Sequence, residues 1–364
     1  MSRSLSVRWS SPGIRIRAIG LLLLERRLLS NYSCWALSTP PPPQASPSRL
    51  SQIYQETAQD SNATPNWPNS KQFCESCLVY HAATQSYQLP EFRDGNGPLG
   101  VFALLHDNAE AKVIMDQCDA VFDQFCDTVR KDILDEPHKS HSQQPSTMDH
   151  WILRSPPTSH HITVAILQEH PSFLRNDPEA LANWQPISND TIATLAAKYA
   201  HEHPKVVSSV SKNDNNGLPR PPRLQLDALL WTPDGALIAG FVDDNDNAGI
   251  FDRLRQSSRS IAQDVLGDVL TTRPKNLIHA TVGRMMGLPP GASMDQYQTL
   301  RELARHYNQD VLPETVQRII LQQQPNSKTH NGGGFDLNEL SLARNAVWMM
   351  KEYVEYARWK LYKD

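Results

Sequence analysis

The sequence predicts an α+β protein in which antiparallel strands are accompanied by helices. Two apolar runs, 159–167 and 276–285, alternate aliphatic and polar residues with the period of a strand. Residues 109–134 instead place apolar side chains three or four positions apart, which is typical of an amphipathic helix. A strand pair within 224–242 surrounds the turn sequence Thr-Pro-Asp-Gly, which indicates a hairpin and therefore antiparallel pairing.

The remaining elements follow from the same periodicities and from capping residues. A helix at 191–203 is expected to begin after a cap at Ser188 or Asn189. The other predicted elements are a strand at 97–105, helices at about 248–266 and 294–307, and closing strands at 339–349 and 352–361.

Each of the two alternating runs contains a His, one further residue, a Thr and an aliphatic residue. The first is His161-Ile-Thr163-Val and the second is His279-Ala-Thr281-Val. Residues i and i+2 of a strand share a face. We therefore expect each His to project together with its Thr, while the neighbouring aliphatic residues point into the core.

Two imidazoles and two hydroxyls suit displacement at phosphorus. Because histidine titrates near neutrality, one ring can accept a proton while the other donates one. Threonine hydroxyls can hydrogen-bond the phosphoryl oxygens in the transition state. A lone strand His is more often structural, but the pairing favours catalytic roles for His161 and His279, with Thr163 and Thr281 binding the phosphate.

At these residues the chain resembles the 2H phosphoesterase superfamily, the LigT-like and cyclic-phosphodiesterase proteins named for two His-x-Ser/Thr motifs. The resemblance covers roughly residues 97–361. It implies a two-lobed, pseudo-symmetric fold in which antiparallel sheets line a central cleft and helices lie outside. It also implies opening of 2′,3′-cyclic phosphates, or hydrolysis of related RNA-end or nucleotide phosphodiesters, with no metal and no cofactor.

Composition divides the chain into three segments. Residues 1–38 are a candidate targeting segment. Residues 39–96 begin with a proline run and continue rich in Ser, Asn and Gln, so we expect a disordered or irregular linker. The phosphoesterase-like domain is expected at 97–364, with lobe one at about 97–203 and lobe two at about 224–361.

The amino-terminal segment differs in charge from the rest of the chain. Residues 1–50 contain seven Arg and one acid, Glu25, whereas the whole chain has a net charge of −4. An Arg-rich, acid-poor start fits a mitochondrial or plastid transit peptide, and the short run Ile19–Leu24 could instead belong to an irregular secretory signal. That run is too short to span a bilayer. The third alternative is untargeted disorder in a cytoplasmic protein.

Charge also bears on the partners. A net charge of −4 argues against a surface that coats nucleic acid nonspecifically, although it leaves room for a small basic cleft. Arg273 and Lys275, just before the second motif strand, are either substrate-binding residues or solvated loop charges. We expect a monomer that acts on an RNA end or a nucleotide cyclic phosphate, with no membrane partner. The alternatives are a catalytically inactive RNA- or nucleotide-binding module and an interaction scaffold.

Other motifs carry less weight. The pair Cys74-Glu-Ser-Cys77 has metal-knuckle spacing but lacks a second pair downstream. Residues 243–254 fail as a calcium-binding loop, because Ala248 stands where Gly is required and Leu254 where the bidentate Glu is required. His160 is expected to be structural or on the surface, and His201 and His203 are expected on the surface.

Overall fold

Antiparallel sheets and helices build the chain in the computed structural model. The structure describes residues 49–83, 85–88, 97–135, 150–174, 178–210, 222–243, 249–267, 277–323, 333–344 and 353–362. The helices among these residues are α1 (Arg49–Ala63), α2 (Lys71–Cys77), α3 (Ala109–Thr128), α4 (Pro178–Ala182), α5 (Asn189–Val210), α6 (Ile250–Leu266), α7 (Met294–His306) and α8 (Leu312–Gln323). The α+β class predicted from the sequence is therefore confirmed.

The first motif lies in a four-stranded antiparallel sheet. From edge to edge its strands are β11 (Val354–Lys360), β10 (Glu339–Arg344), β3 (Leu99–Leu104) and β5 (His161–Gln168). The predicted closing hairpin is confirmed in part, because β10 and β11 are antiparallel neighbours.

The second motif lies in a five-stranded antiparallel sheet. From edge to edge its strands are β4 (Ile152–Arg154), β8 (His279–Met285), β7 (Ala236–Asp243), β6 (Arg223–Trp231) and β9 (Gly334–Asp336). A separate pair, β1 (Val79–His81) and β2 (Ser86–Gln88), forms a small ribbon.

The strands are not distributed between the sheets as two consecutive lobes would require. β4 precedes the first motif in sequence, yet it pairs with β8 in the sheet of the second motif. β10 and β11 come last, yet they join β3 in the sheet of the first motif. The predicted boundaries at 97–203 and 224–361 therefore do not separate the two sheets. Periodicity predicts a strand but not its partner, which explains the difference.

The predicted helices match their apolar patterns closely. Helix α3 begins where the Asn108 side chain accepts a hydrogen bond from Ala111 N at 2.9 Å, and it buries a stripe that includes Cys118, Phe122 and Phe125. The predicted cap of α5 is confirmed at Ser188, whose Oγ accepts from Thr191 N at 3.2 Å. A reciprocal capping box of Ser293 and Gln296 starts α7.

The prediction of a disordered or irregular linker at 39–96 is wrong for the described part of that range. Residues 49–63 form α1, and its Tyr54 is buried against the five-stranded sheet. Trp67 is also buried, packs edge-on to Phe125 and Trp231, and donates from Nε1 to Thr232 O at 2.9 Å. Few apolar residues occur here, but Tyr54 and Trp67 among them are buried in the core, and composition alone does not reveal this.

One of the histidine predictions is also corrected. His203 is fully buried, between Tyr199 and Trp359, where Ser258 Oγ lies 3.0 Å from its Nε2 and Trp359 Nε1 donates to its Nδ1 at 3.2 Å. His201, two residues away, is exposed as predicted. His160 is buried beside Asp119, in agreement with a structural role.

None of the helices within the described ranges combines the length and the apolar character needed to cross a bilayer.

Candidate active site

The first motif begins strand β5. His161 and Thr163 are half-buried, whereas Ile162 and Val164 have only 0% and 2% of their surface exposed and belong to the main core. The two motif residues therefore share the face that does not pack on that core. This is the arrangement that the alternation of the sequence predicted.

The second motif begins strand β8 in the same way. His279 and Thr281 are half-buried, while Ala280 and Val282 are fully buried in the main core. Across the ladder, Gly240 of β7 is paired with His279. Because directly paired residues project to the same side of a sheet, Gly240 and His279 share one face. We call this side of the five-stranded sheet its motif face.

Arg255 of helix α6 ties the two motif strands together. Its Nη2 atom donates to Leu277 O at 2.5 Å and approaches Thr163 O at 3.4 Å. The two carbonyl oxygens are thus separated by no more than about 6 Å, the sum of the two distances. Thr163 belongs to the first motif and Leu277 lies two residues before His279, so the first motif strand and the segment entering the second meet at one guanidinium. Strands β5 and β8 also contact each other.

Arg255 brings a positive charge to this position. Its side chain is 9% exposed, lies 4.7 Å above the Phe251 ring and has the exposed Asp252 at 3.8 Å. Burial lowers the pKa of Arg255 to about 10, which leaves the guanidinium charged at neutral pH. Sequence reasoning missed this residue. The signal was available, because Arg255 lies in the apolar stripe of α6 with Phe251, Leu254 and Ser258.

His161 is oriented by its own backbone neighbourhood. Its Nδ1 lies 2.7 Å from Ser159 O, and the Phe102 ring packs at a centroid distance of 5.0 Å with the two planes at 80°. A carbonyl oxygen can only accept, so Nδ1 carries the proton. In the neutral ring the lone pair is then on Nε2. Such a hydrogen bond fixes the tautomer and the ring orientation of a functional histidine.

Tyr54 of helix α1 contacts the strand of the second motif. Its hydroxyl lies 2.7 Å from Ile278 O and 3.0 Å from Phe241 O, and the single proton is shared between these carbonyls. Burial raises the pKa of Tyr54, so the hydroxyl stays protonated and remains a donor. Sequence reasoning missed Tyr54 because it assigned residues 49–63 to a linker.

Arg273 and Lys275 fall outside the described residues. A cavity of about 480 Å³ beside the end of β3 is lined by Asp107, Glu110, Asp336, Glu339 and Arg358, among others. A second, of about 620 Å³, lies between α2 and the start of α7. Neither of these two cavities is lined by His161 or His279.

Within the described ranges, no three His, Cys, Asp or Glu side chains converge as metal ligands would.

Comparisons with known proteins complete the description. No family model matches the chain, and no curated protein matches it either. Among solved structures, the TT0787 protein of Thermus thermophilus aligns at 14% identity and a TM-score of 0.33, covering 72% of this chain and 97% of the other. A structure titled as a phosphoesterase aligns at 12% identity and a TM-score of 0.31, covering 73% and 99%. Both TM-scores are below 0.5.

Proposed function

We propose that this chain is a phosphodiesterase of the 2H phosphoesterase superfamily in which His161 and His279 share general acid and base catalysis. Its substrate class would be a 2′,3′-cyclic phosphate or a related RNA-end or nucleotide phosphodiester. Thr163 and Thr281 would hold the phosphoryl oxygens.

One observation carries the proposal. The two His-x-Thr couples stand at the starts of β5 and β8, each on the face away from the main core, and a single Arg255 atom reaches one backbone oxygen of β5 and one of the segment that leads directly into β8. Two motifs that are far apart in sequence thus have neighbouring backbones. A chance pair of His-x-Thr triplets would not be expected to combine matched strand positions, matched exposure and proximity.

The two imidazole rings have different roles in the reaction. One neutral imidazole takes a proton from water, and the water oxygen forms a bond to phosphorus while the bond to the leaving ribose oxygen breaks. The other ring, protonated, gives its proton to that leaving oxygen. The Thr hydroxyls donate to the non-bridging oxygens. No step requires a redox partner, and water is the co-substrate.

The test is turnover of 2′,3′-cyclic nucleotides by the wild type and by His161→Ala and His279→Ala. General acid–base catalysis contributes about 10²- to 10⁴-fold. Each variant should therefore lose at least about 100-fold in kcat. His306→Ala is the matched control, because His306 is an exposed histidine on α7 whose partner is Asp310. Turnover is also measured with EDTA, which should leave the rate unchanged.

Two results would contradict the assignment. Unchanged turnover in both motif variants would remove the catalytic role of the histidines. Tight binding of cyclic nucleotides with no product, even after long incubation, would favour the binding-module alternative. The monomeric state and the roles of Arg273 and Lys275 stay predictions.

A further inference from the structure

Helix α1 covers part of the motif face of the five-stranded sheet. Its Tyr54 packs with Leu230, Ala236 and Ile238, and Leu50 and Ala58 pack against the same cluster. Ile238 is paired with Thr281 and Gly240 with His279, so these residues project to one side. The Tyr54 ring occupies the space that a side chain at Gly240 would need, since a Cβ there would lie 2.7 Å from Tyr54 Cζ. Tyr54 is therefore next to the strand position of His279.

Two side chains hold the backbone that leads into the second motif. The Tyr54 hydroxyl lies 2.7 Å from Ile278 O, and Arg255 Nη2 donates to Leu277 O at 2.5 Å. Leu277 and Ile278 are the two residues directly before His279. Because carbonyls of consecutive residues point in different directions, two partners on different elements restrain both the translation and the rotation of this segment.

The same guanidinium reaches the first motif. Arg255 Nη2 is 3.4 Å from Thr163 O. One guanidinium nitrogen therefore contacts both the segment before β8 and the Thr of the first His-x-Thr couple. Arg255 Nε is buried without a hydrogen-bond acceptor among the described residues, and Nη1 likewise. Leaving buried donors unpaired is costly. The Arg255 bridge is therefore made at a cost to the stability of the folded chain.

We infer that Tyr54 and Arg255 are positioning residues that fix His279 relative to the first motif, and that helix α1 is consequently an integral part of the site. The inference rests on the proposed function. It extends the part of the chain needed for function beyond residues 97–361, because Tyr54 lies amino-terminal to the region that the motif resemblance covers. Neither residue contacts the reacting atoms in this assignment. They act through the backbone before His279.

The first experiment removes one hydroxyl. In Tyr54→Phe the ring that fills the space over Gly240 is kept, but Ile278 O and Phe241 O lose their shared donor. Loss of such an orienting partner typically costs about 10- to 100-fold in rate. We expect kcat for a 2′,3′-cyclic nucleotide to fall by about that factor, while KM changes by less than about threefold.

The matched control is Tyr199→Phe. Tyr199 is also fully buried, and its hydroxyl donates to a backbone carbonyl, Ser258 O, at 3.1 Å on helix α6. Both variants lose one buried hydrogen bond and should shift Tm by similar amounts. Only Tyr54→Phe should lower kcat. Equal rates in the two variants would overturn the positioning role of Tyr54.

The second experiment addresses Arg255. Arg255→Met removes both carbonyl contacts, and Arg255→Lys keeps the charge and one donor. The control is Arg344→Met, because Arg344 is buried at the end of β10 and donates to a backbone carbonyl, Gly97 O, at 2.7 Å. We expect Arg255→Met to lose more kcat than Arg344→Met, and Arg255→Lys to recover part of the loss. If Arg255→Met does not fold, Arg255→Lys against wild type provides the comparison, and an unchanged kcat would contradict the inference.

A spectroscopic measurement separates this inference from the proposed function. In protein with isotope-labelled histidine, NMR follows the His279 ring signals, which the His279→Ala variant assigns. Tyr54→Phe should shift these signals, whereas Tyr199→Phe should leave them unchanged. If the wild type shows no turnover of cyclic phosphates, the proposed function fails, but the NMR comparison still decides the positioning role. Unperturbed His279 signals in Tyr54→Phe would overturn it.

Discussion

A double-mutant cycle between Gly240 and Tyr54 tests the packing on which the site depends. A Cβ built on Gly240 would lie 2.7 Å from Tyr54 Cζ and 2.8 Å from Cε1, well inside van der Waals contact. The ring cannot move away easily, because its hydroxyl is bound to Ile278 O at 2.7 Å. Overpacking of a filled core costs about 1–3 kcal/mol. Gly240→Ala should therefore lower the free energy of unfolding by about this amount, less the small gain of Ala over Gly in a strand.

The effect of Gly240→Ala on the free energy of unfolding should change once the Tyr54 ring is removed. Tyr54→Ala deletes a fully buried aromatic side chain and should cost about 3–5 kcal/mol by itself. In that background the added methyl enters vacated space, so Gly240→Ala should be neutral or should stabilise the protein by up to about 1 kcal/mol. The coupling energy between the two positions is then about 1–3 kcal/mol.

Urea unfolding of the wild type, the two single variants and the double variant measures this coupling. Gly240→Ala combined with Tyr199→Ala is the control cycle, because Tyr199 packs against His203 and Trp359 instead. That cycle should be additive within about 0.5 kcal/mol. An equal cost of Gly240→Ala in the wild-type and Tyr54→Ala backgrounds would refute the docking of α1 on the motif face.

Two further predictions concern the corrected parts of the fold. Burial lowers the pKa of His203 to about 3, below its unfolded value near 6.5. The unfolded chain therefore binds the extra proton between these values, and the unfolding free energy should fall by about 1.4 kcal/mol per pH unit as pH drops from about 6.5. His203→Asn keeps an acceptor for Trp359 and should remove this pH dependence of the unfolding free energy, as measured by urea unfolding between about pH 4 and pH 7. The same pH dependence in the variant and the wild type would contradict the burial of a neutral His203. Trp67→Ala should lower the free energy of unfolding by about 3–5 kcal/mol in the same assay, whereas substituting a residue of an unpacked linker would leave it almost unchanged.

The sequence predicts which face of each motif strand carries the His and the Thr, because every second residue of a half-buried strand points into the core. Ile162 and Val164 alternate with His161 and Thr163, and only one assignment of faces buries the aliphatic pair. The same local logic located α3 and α6, whose apolar stripes need no knowledge of what covers them. Ser188 was likewise identifiable as a cap from its position alone.

The positioning groups were harder to predict, since their roles depend on partners distant in sequence. Tyr54 acts on Ile278, and a composition-based argument assigned its segment to a linker. Arg255 was visible as a charge in an apolar stripe, but its acceptors are carbonyls of Thr163 and Leu277, and backbone acceptors leave no mark in sequence.

By itself the sequence determined the α+β class, the two His-x-Thr couples and the side of each strand on which they stand, because these follow from local periodicity and from the burial of alternating aliphatic residues. Only the tertiary structure decided that β4 pairs with β8, that β10 and β11 join β3, and that α1 lies over Gly240. Sheet order and helix docking depend on which surfaces fit together across long stretches of chain. No window of neighbouring residues contains that information.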